Sequence, residues 1–214
     1  MAEQTPAAAG TRTVRFGYHG STEVVDRIVR LAGRGEGGDE VRLIEYDIAD
    51  PFRGVRAGEL DVMIAKFPIR EPDLVTSRVL TEDARAVVVA SGHPLAARTS
   101  VSIEELADFD AFAPPGSFPG YVWDDVVPPY TPAGRPVRRV RRVATVPEMM
   151  RTVAAGDAVH ISLTSLADIA PPGITVVPIH DLPPAPVTLA WLRGAELHDH
   201  VREFITTAEA EASR

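Results

Sequence analysis

Three ionisable side chains stand at positions from which they could act on a small ligand. His19 lies in a loop directly after a predicted strand, Lys66 follows the apolar run 62–65, and His160 lies on a predicted strand. Open α/β folds bind ligands beyond the carboxyl ends of their strands, so His19 and Lys66 are candidates to contact an anionic ligand. An imidazole in such a loop can also move a proton near neutral pH. A histidine on a buried strand is more often a satisfied core residue than a catalyst, and this is the simpler interpretation of His160.

Hydroxyl side chains stand at two predicted helix starts. Ser21 and Thr22 precede the apolar spacing of a first helix, and Thr145 opens a Thr-Val-Pro-Glu capping pattern before a later one. The unpaired N–H groups of a helix start carry partial positive charge and attract anions. With the loop 115–117 facing them, we expect these groups to line one cleft and to bind a carboxylate.

Other patterns that carry chemistry are missing or poorly spaced. The sequence has no nucleophile elbow, phosphate-binding loop, zinc motif or dinucleotide fingerprint. His198 and His200 are two residues apart on a predicted helix and do not share a face, so a solvated helix start is a better interpretation than a metal site. The basic run 138–142 is short and fits the solvated face of a strand. We therefore predict no metal and no cofactor.

The elements that must position these residues alternate along the chain. Strand, helix, strand, helix and strand follow one another up to residue 65, which predicts a doubly wound α/β lobe. Two strands near 74–80 and 84–90 are too close for a helical crossover, so the chain is predicted to leave the first lobe there. The strand 187–192 is predicted to return to it. The predicted organisation is a flexible tail at 1–12, lobe I at 13–83 plus 183–210, and lobe II at 84–182.

Composition limits the environment and the partners of the protein. The 214 residues carry a net charge of −8 at pH 7, are 45% apolar and 24% charged, and include no cysteine. These values are ordinary for a globular protein and give no global attraction to nucleic acid. No signal peptide and no apolar run long enough to span a bilayer is visible. We expect a cytoplasmic protein with neither a membrane nor a nucleic-acid partner.

Three stretches match a known family. They are Arg15-Phe16-Gly17-Tyr18-His19-Gly20-Ser21, Val55-Arg56-Ala57-Gly58-Glu59-Leu60-Asp61-Val62-Met63-Ile64 and Val87-Val88-Val89-Ala90-Ser91-Gly92-His93-Pro94-Leu95-Ala96. On them, the chain resembles the effector-binding domain of LysR-type transcriptional regulators over about residues 13–208. The resemblance implies a type II periplasmic-binding-protein fold, two lobes joined by two crossover strands, and an effector bound between them. It also implies a homodimer, for which we expect exposed apolar residues of the first helix to form the interface.

The chain departs from this family in ways that bear on function. His19 stands where the family commonly has a small hydroxyl residue, and 157–162 replace a glycine-rich turn and an apolar strand ending in proline. Only a short tail precedes the first strand, where family members carry a winged helix-turn-helix and a linker helix. We therefore expect no direct DNA binding by this chain. A stand-alone protein is favoured slightly over a domain cut from a longer regulator.

Two functional hypotheses follow. The first is a binding protein for a small metabolite that carries a carboxylate. The alternative is an enzyme of lyase, dehydratase, cyclase or isomerase type that has recruited this fold, with His19, Lys66 or His160 as its acid/base groups. An enzyme needs titratable groups within reach of one another and of a ligand. The predicted ligand-binding residues are His19, Ser21, Thr22, Tyr46, Lys66, Pro115, Gly116, Ser117, Tyr121, Thr145 and His160.

Overall fold

The computed structural model describes residues 12–35, 40–143 and 145–214. The predicted N-terminal tail lies almost wholly outside the described residues. Across the described ranges, the chain forms a larger mixed sheet, two smaller sheets and the helices that cover them. No helix in these ranges is long and apolar enough to cross a membrane.

The first lobe is built on the larger sheet. In spatial order its strands are β2 (Val41–Glu45), β1 (Val14–Tyr18), β3 (Val62–Ala65), β11 (Ala185–Leu192) and β4 (Leu74–Thr76), with β5 (Thr81–Asp83) also paired to β11. β1 is parallel to β2 and β3, whereas β11 runs antiparallel to each of its partners. The helices of this lobe are α1 (Thr22–Leu31), α2 (Arg53–Arg56) and α6 (Asp199–Glu211).

β3 shows how the sequence produces this layering. All four of its residues are buried: Val62 and Ile64 pack in one apolar cluster, and Met63 and Ala65 in another. Successive side chains of a strand point to opposite faces, so a continuous apolar run suits a strand that is covered on both sides. Lys66 is the first residue after this strand, and the buried strand therefore fixes its position at the sheet edge.

The second lobe contains the remaining strands. They are β6 (Arg85–Ala90), β9 (His160–Leu163) and β10 (Ile174–Pro178) in one sheet, and β7 (Asp110–Phe112) with β8 (Arg138–Arg141) in another. Its helices are α3 (Ile103–Leu106), α4 (Gly120–Val126) and α5 (Val146–Ala154), with two 3₁₀ helices at Pro94–Ala97 and Thr164–Ile169. The chain passes between the lobes after β5 and again before β11, and the predicted two-lobe α/β fold is confirmed.

Two features differ from the sequence prediction because tertiary packing outweighs local signals. α2 begins at Arg53 and has four residues, whereas the Asp50-Pro51 pair predicts an earlier start. No helix was predicted at α4, whose start carries Pro119 and Gly120. In the fold, Trp123 and its apolar neighbours on α4 are buried in the second core, which stabilises the helix.

The apolar face of α1 packs mainly inward. Val25, Ile28 and Val29 on this helix are buried against the first sheet. Large apolar side chains with substantial exposure lie on other elements, among them Leu43 on β2 and Val140 on β8. Val24 and Leu31 on the same helix are only partly buried, and a dimer contact through α1 stays a prediction.

Candidate functional site

A pocket of about 150 Å³ lies between the two lobes. The first lobe contributes the ends of β1 and β3 and the turn after β2, and the second contributes β7, α4, α5 and β9. Its wall is largely apolar and aromatic, and includes Phe52, Phe67, Phe112, Phe118 and Trp123. A concave, mostly apolar pocket with few polar groups is the usual form of a small-molecule site.

His19 and Tyr46 form one polar corner of the first-lobe wall. Their rings stack with centroids 5.7 Å apart, and the Tyr46 hydroxyl donates to the Ile64 carbonyl at 3.2 Å. Burial lowers the pKa of His19 to about 4, and the nearby charge of Lys66 acts in the same direction. The ring is therefore neutral at pH 7. Its Nδ1 is buried and has no hydrogen-bond partner within the described residues.

Lys66 supplies the ammonium group of the pocket wall. Its Nζ donates to Asp83 Oδ2 at 3.2 Å and to Ser165 Oγ at 2.8 Å, which ties the end of β3 to the second lobe. Asp83 also accepts from the Thr164 hydroxyl and from the Ser165 N–H. Burial lowers the pKa of Lys66, and the Asp83 carboxylate opposes that shift. Lys66 is the single lysine of the sequence, a signal that the sequence analysis overlooked.

His160 lies on the second-lobe wall, on β9. Its ring stacks on Trp123 at 6.2 Å and meets the edge of Phe112 at 5.6 Å. Burial lowers the pKa of His160 to about 4, and the positive charge of Arg85 adds to this effect. The residue is 7% exposed, and its Nδ1 has no hydrogen-bond partner among the residues described. His160 thus packs as a core residue and also lines the pocket.

Two more predicted residues, Thr145 and Pro115, lie on the second-lobe wall. The Thr145 hydroxyl accepts from the Glu148 N–H at 3.3 Å and caps α5. The helix starts where the capping pattern predicts, and this start lies at the pocket wall.

Ser21 and Thr22 do not line the pocket. Ser21 is 1% exposed, caps α1 by accepting from the Glu23 N–H at 3.2 Å, and donates to the carboxylate of Asp168. Asp168 belongs to the 3₁₀ helix Thr164–Ile169 of the second lobe. Its carboxylate therefore occupies the position beside Ser21 at which the sequence predicts the carboxylate of a ligand. Thr22 is exposed on the first turn of α1.

Gly116, Ser117 and Tyr121 also lie outside the pocket lining, and they join the lobes beside it. The Ser117 N–H donates to the Ala49 carbonyl at 2.7 Å. Gly116 has a φ of +47°, and a Cβ at this position would lie 2.7 Å from the Cβ of Ala49, so the contact requires glycine. The Tyr121 hydroxyl accepts from the Arg70 N–H at 2.9 Å and donates to Glu71 at 3.1 Å.

Arginines of the basic run 138–142 form ion pairs with acidic residues of the chain itself. In the basic run, Arg138 and Arg141 form ion pairs with Asp110, and Arg139 pairs with Asp124. Within the described ranges, no group of three or more His, Cys, Asp or Glu side chains is arranged to hold a metal ion.

Residues 25–213 match the family model of the LysR substrate binding domain. The HTH-type transcriptional regulator BudR of Raoultella terrigena is 23% identical over 155 residues, which cover 72% of this chain and 53% of BudR. The chain thus spans about half the length of this curated relative.

Solved structures of similar fold include complexes with small molecules. The effector-binding domain of QuiR in complex with shikimate has a TM-score of 0.69 at 18% identity, covering 94% of this chain and 97% of that one. The BenM effector-binding domain with benzoate has a TM-score of 0.68 at 20% identity, covering 94% and 92%. CbnR, a LysR family transcriptional regulator, has a TM-score of 0.73 at 18% identity, covering 94% and 70%. At these identities the likeness shows the fold alone.

Proposed function

The chain belongs to the LysR substrate-binding domain family, and we propose that it binds a compact, ring-bearing carboxylate in the pocket between its lobes. The observation that carries this proposal is a largely apolar pocket between the lobes with one ammonium group, that of Lys66, in its wall. Apolar walls favour the body of the ligand, and the ammonium favours its charge.

The size of the pocket supports a ring-sized ligand. Its volume is about 150 Å³. An apolar cavity of roughly 150 Å³ in another protein binds benzene, so a single ring is a suitable occupant. Shikimate and benzoate, which QuiR and BenM bind, are both ring carboxylates. Phe67 and Trp123 offer flat surfaces against which a ring can pack.

The polar groups of the first-lobe wall support a carboxylate at that end. A buried carboxylate is strongly unfavourable unless a cation or several hydrogen bonds compensate for lost water. The Nζ of Lys66 donates to Asp83 and to Ser165, and an ammonium has three donors, so one N–H remains with which to bind a ligand carboxylate. We place the ligand carboxylate beside Lys66 and His19, away from Ser21, because Asp168 already bonds to that hydroxyl.

Calorimetry with benzoate, shikimate and cyclohexanecarboxylate tests the proposal. We expect at least one of these acids to bind, and Lys66→Met to weaken it by about ten- to a hundredfold, the usual effect of losing a hydrogen bond to a charged group. Arg98→Met is the matched control, because it removes an exposed cation, paired with Glu105, that does not line the pocket, and it should leave the affinity unchanged.

The outcomes separate the parts of the proposal. Equal affinity for wild type and Lys66→Met would contradict the placement of the carboxylate. Failure of all three acids to bind would contradict the ligand class. Recovery of the acid unchanged after incubation, measured by NMR, distinguishes binding from the enzymatic alternative.

A further inference from the structure

His160 is a buried polar ring that lacks the hydrogen bonds its burial calls for. The residue is 7% exposed, and its Nδ1 has no partner within the described part of the chain. The large majority of buried side-chain polar atoms in proteins are hydrogen-bonded, so an exception on a pocket wall is a place where a ligand can supply the missing bond.

Among the described residues, the surroundings of His160 hold the ring and give its Nδ1 no hydrogen-bond partner. Trp123 stacks on it, and the Trp123 Nε1–H is itself bonded to the Phe112 carbonyl at 3.0 Å. The charged neighbour, Arg85, donates to the carbonyls of Ser162, Asp125 and Val126. The guanidinium is thus held by backbone oxygens, and the imidazole is held by aromatic rings.

The protonation state of the ring determines what it can recognise. Burial lowers the pKa of His160 to about 4, so the imidazole is neutral at pH 7. A neutral imidazole has one N–H donor and one bare nitrogen acceptor, whereas a hydroxyl can donate and accept. A hydroxyl group therefore matches either tautomer of the ring. Among Phe112, Trp123 and Val126, an apolar ligand edge would leave the imidazole unpaired.

We propose that His160 makes the pocket selective for ring carboxylates that carry a hydroxyl group, which hydrogen-bonds to the imidazole from inside the pocket. This inference rests on the proposed function, because it assumes that a ring carboxylate occupies the site. The carboxylate then lies at the Lys66 wall of the first lobe, and the hydroxyl lies at the His160 wall of the second. A ligand of this class would contact both lobes through polar groups.

The preference is measured by comparing benzoate with the three isomers 2-, 3- and 4-hydroxybenzoate at pH 7.5. We expect at least one isomer to bind wild type about tenfold or more tightly than benzoate, because the unsubstituted ring leaves His160 unpaired. In His160→Phe the ratio of the two dissociation constants should fall to about one. His160→Gln keeps a donor and an acceptor and should retain part of the preference.

His180→Phe is the matched control, because His180 is exposed and does not line the pocket. This variant should keep the wild-type ratio. If His160→Phe fails to fold, the wild-type ratio and the His160→Gln variant still decide the matter. Binding of benzoate with no preference for any hydroxybenzoate would overturn the inference and leave the proposed function intact. Failure of every ring acid to bind would overturn both.

Discussion

The two walls of the pocket differ in how they hold their polar groups. On the first-lobe wall, Lys66 is charged and its partner Asp83 is a carboxylate with a 4% exposed side chain. On the second-lobe wall, His160 is neutral and is enclosed by the rings of Phe112 and Trp123. The first wall therefore offers electrostatic attraction, and the second offers a directional hydrogen bond among apolar surfaces.

Because of this difference, a single small pocket can orient its ligand. The ammonium attracts an anion from any direction, since Coulomb attraction depends on distance and dielectric. The imidazole contributes only where a donor or acceptor meets its nitrogen in line. A ligand with a charge at one edge and a hydroxyl at another would satisfy both walls in few orientations.

The largest effect on the first-lobe wall is expected from removing Asp83, the partner of the Lys66 ammonium. Asp83→Asn leaves the ammonium of Lys66 without its carboxylate in a site where its side chain is 15% exposed. Loss of one partner of a buried ion pair typically destabilises a protein by about 3–5 kcal/mol. We expect the free energy of unfolding, measured by urea denaturation, to fall by about 3 kcal/mol, because asparagine keeps one oxygen acceptor.

Two further variants test whether this loss of stability comes from the unpaired charge. Asp124→Asn removes the acid of an exposed ion pair with Arg139 and should change stability by less than about 1 kcal/mol. The double change Lys66→Met with Asp83→Leu removes both charges and should recover most of the stability lost in Asp83→Asn. A double variant as unstable as Asp83→Asn would show that the hydrogen bonds to Thr164 and Ser165 matter more than the charge.

The second test uses pH and concerns a histidine on each wall. The pKa values of His19 and His160 are lowered to about 4 in the folded state, from 6.5. Between these values the unfolded chain binds more protons, so stability is fully present above pH 7 and falls as the pH drops towards 4. At pH 5 each ring should reduce the free energy of unfolding by about 2 kcal/mol relative to pH 7.

His160→Phe isolates the contribution of one wall. The loss of stability between pH 7 and pH 5 should be smaller by about 2 kcal/mol in this variant, since phenylalanine does not titrate. Burial also lowers the pKa of His93, but this residue is present in both proteins, so its contribution to the pH dependence cancels in the comparison. An identical pH dependence in wild type and variant would show that His160 is charged, or solvated, in the folded protein.

The fold was largely predictable because its signals are local. Neighbouring residues alone determine the apolar run of β3 and the helix caps at Ser21 and Thr145. Each of these forms as predicted. α4 was missed because Pro119 and Gly120 at its start are typical of a loop. The helix is stabilised by the burial of Trp123 in the second core, which the local sequence does not indicate. β5 was missed because a three-residue strand is defined by its pairing with β11 and not by its own pattern.

The pocket was only partly predictable, because side chains take partners from far along the chain. The predicted residues that line the pocket are His19, Tyr46, Lys66, Pro115, Thr145 and His160. Ser21 was expected among them, but its partner Asp168 is 147 positions away and comes from the other lobe. No local pattern indicates such a pair. Tyr121 likewise contacts Arg70 and Glu71 of the first lobe, and closes the lobes beside the pocket.

The last prediction compares the two helix starts, which share a capping device and differ in their surroundings. Ser21→Ala removes the cap of α1 and also the hydroxyl that donates to Asp168, whereas Thr145→Ala removes a cap that faces the pocket. Loss of a serine or threonine cap costs about 0.5–2 kcal/mol. Ser21→Ala should fall near the upper limit, because the carboxylate also loses a hydrogen bond, and Thr145→Ala near about 1 kcal/mol.

Ligand affinity then separates the two sites more sharply than stability does. Ser21 does not line the pocket, so Ser21→Ala should change the dissociation constant of a bound ring acid by less than about twofold once folded protein is compared. Thr145→Ala should weaken it by a few-fold, the usual size of one neutral hydrogen bond. Calorimetry on both variants, with circular dichroism melts to establish folding, makes the comparison. A larger loss of affinity in Ser21→Ala would mean that the ligand displaces Asp168 and binds at the start of α1.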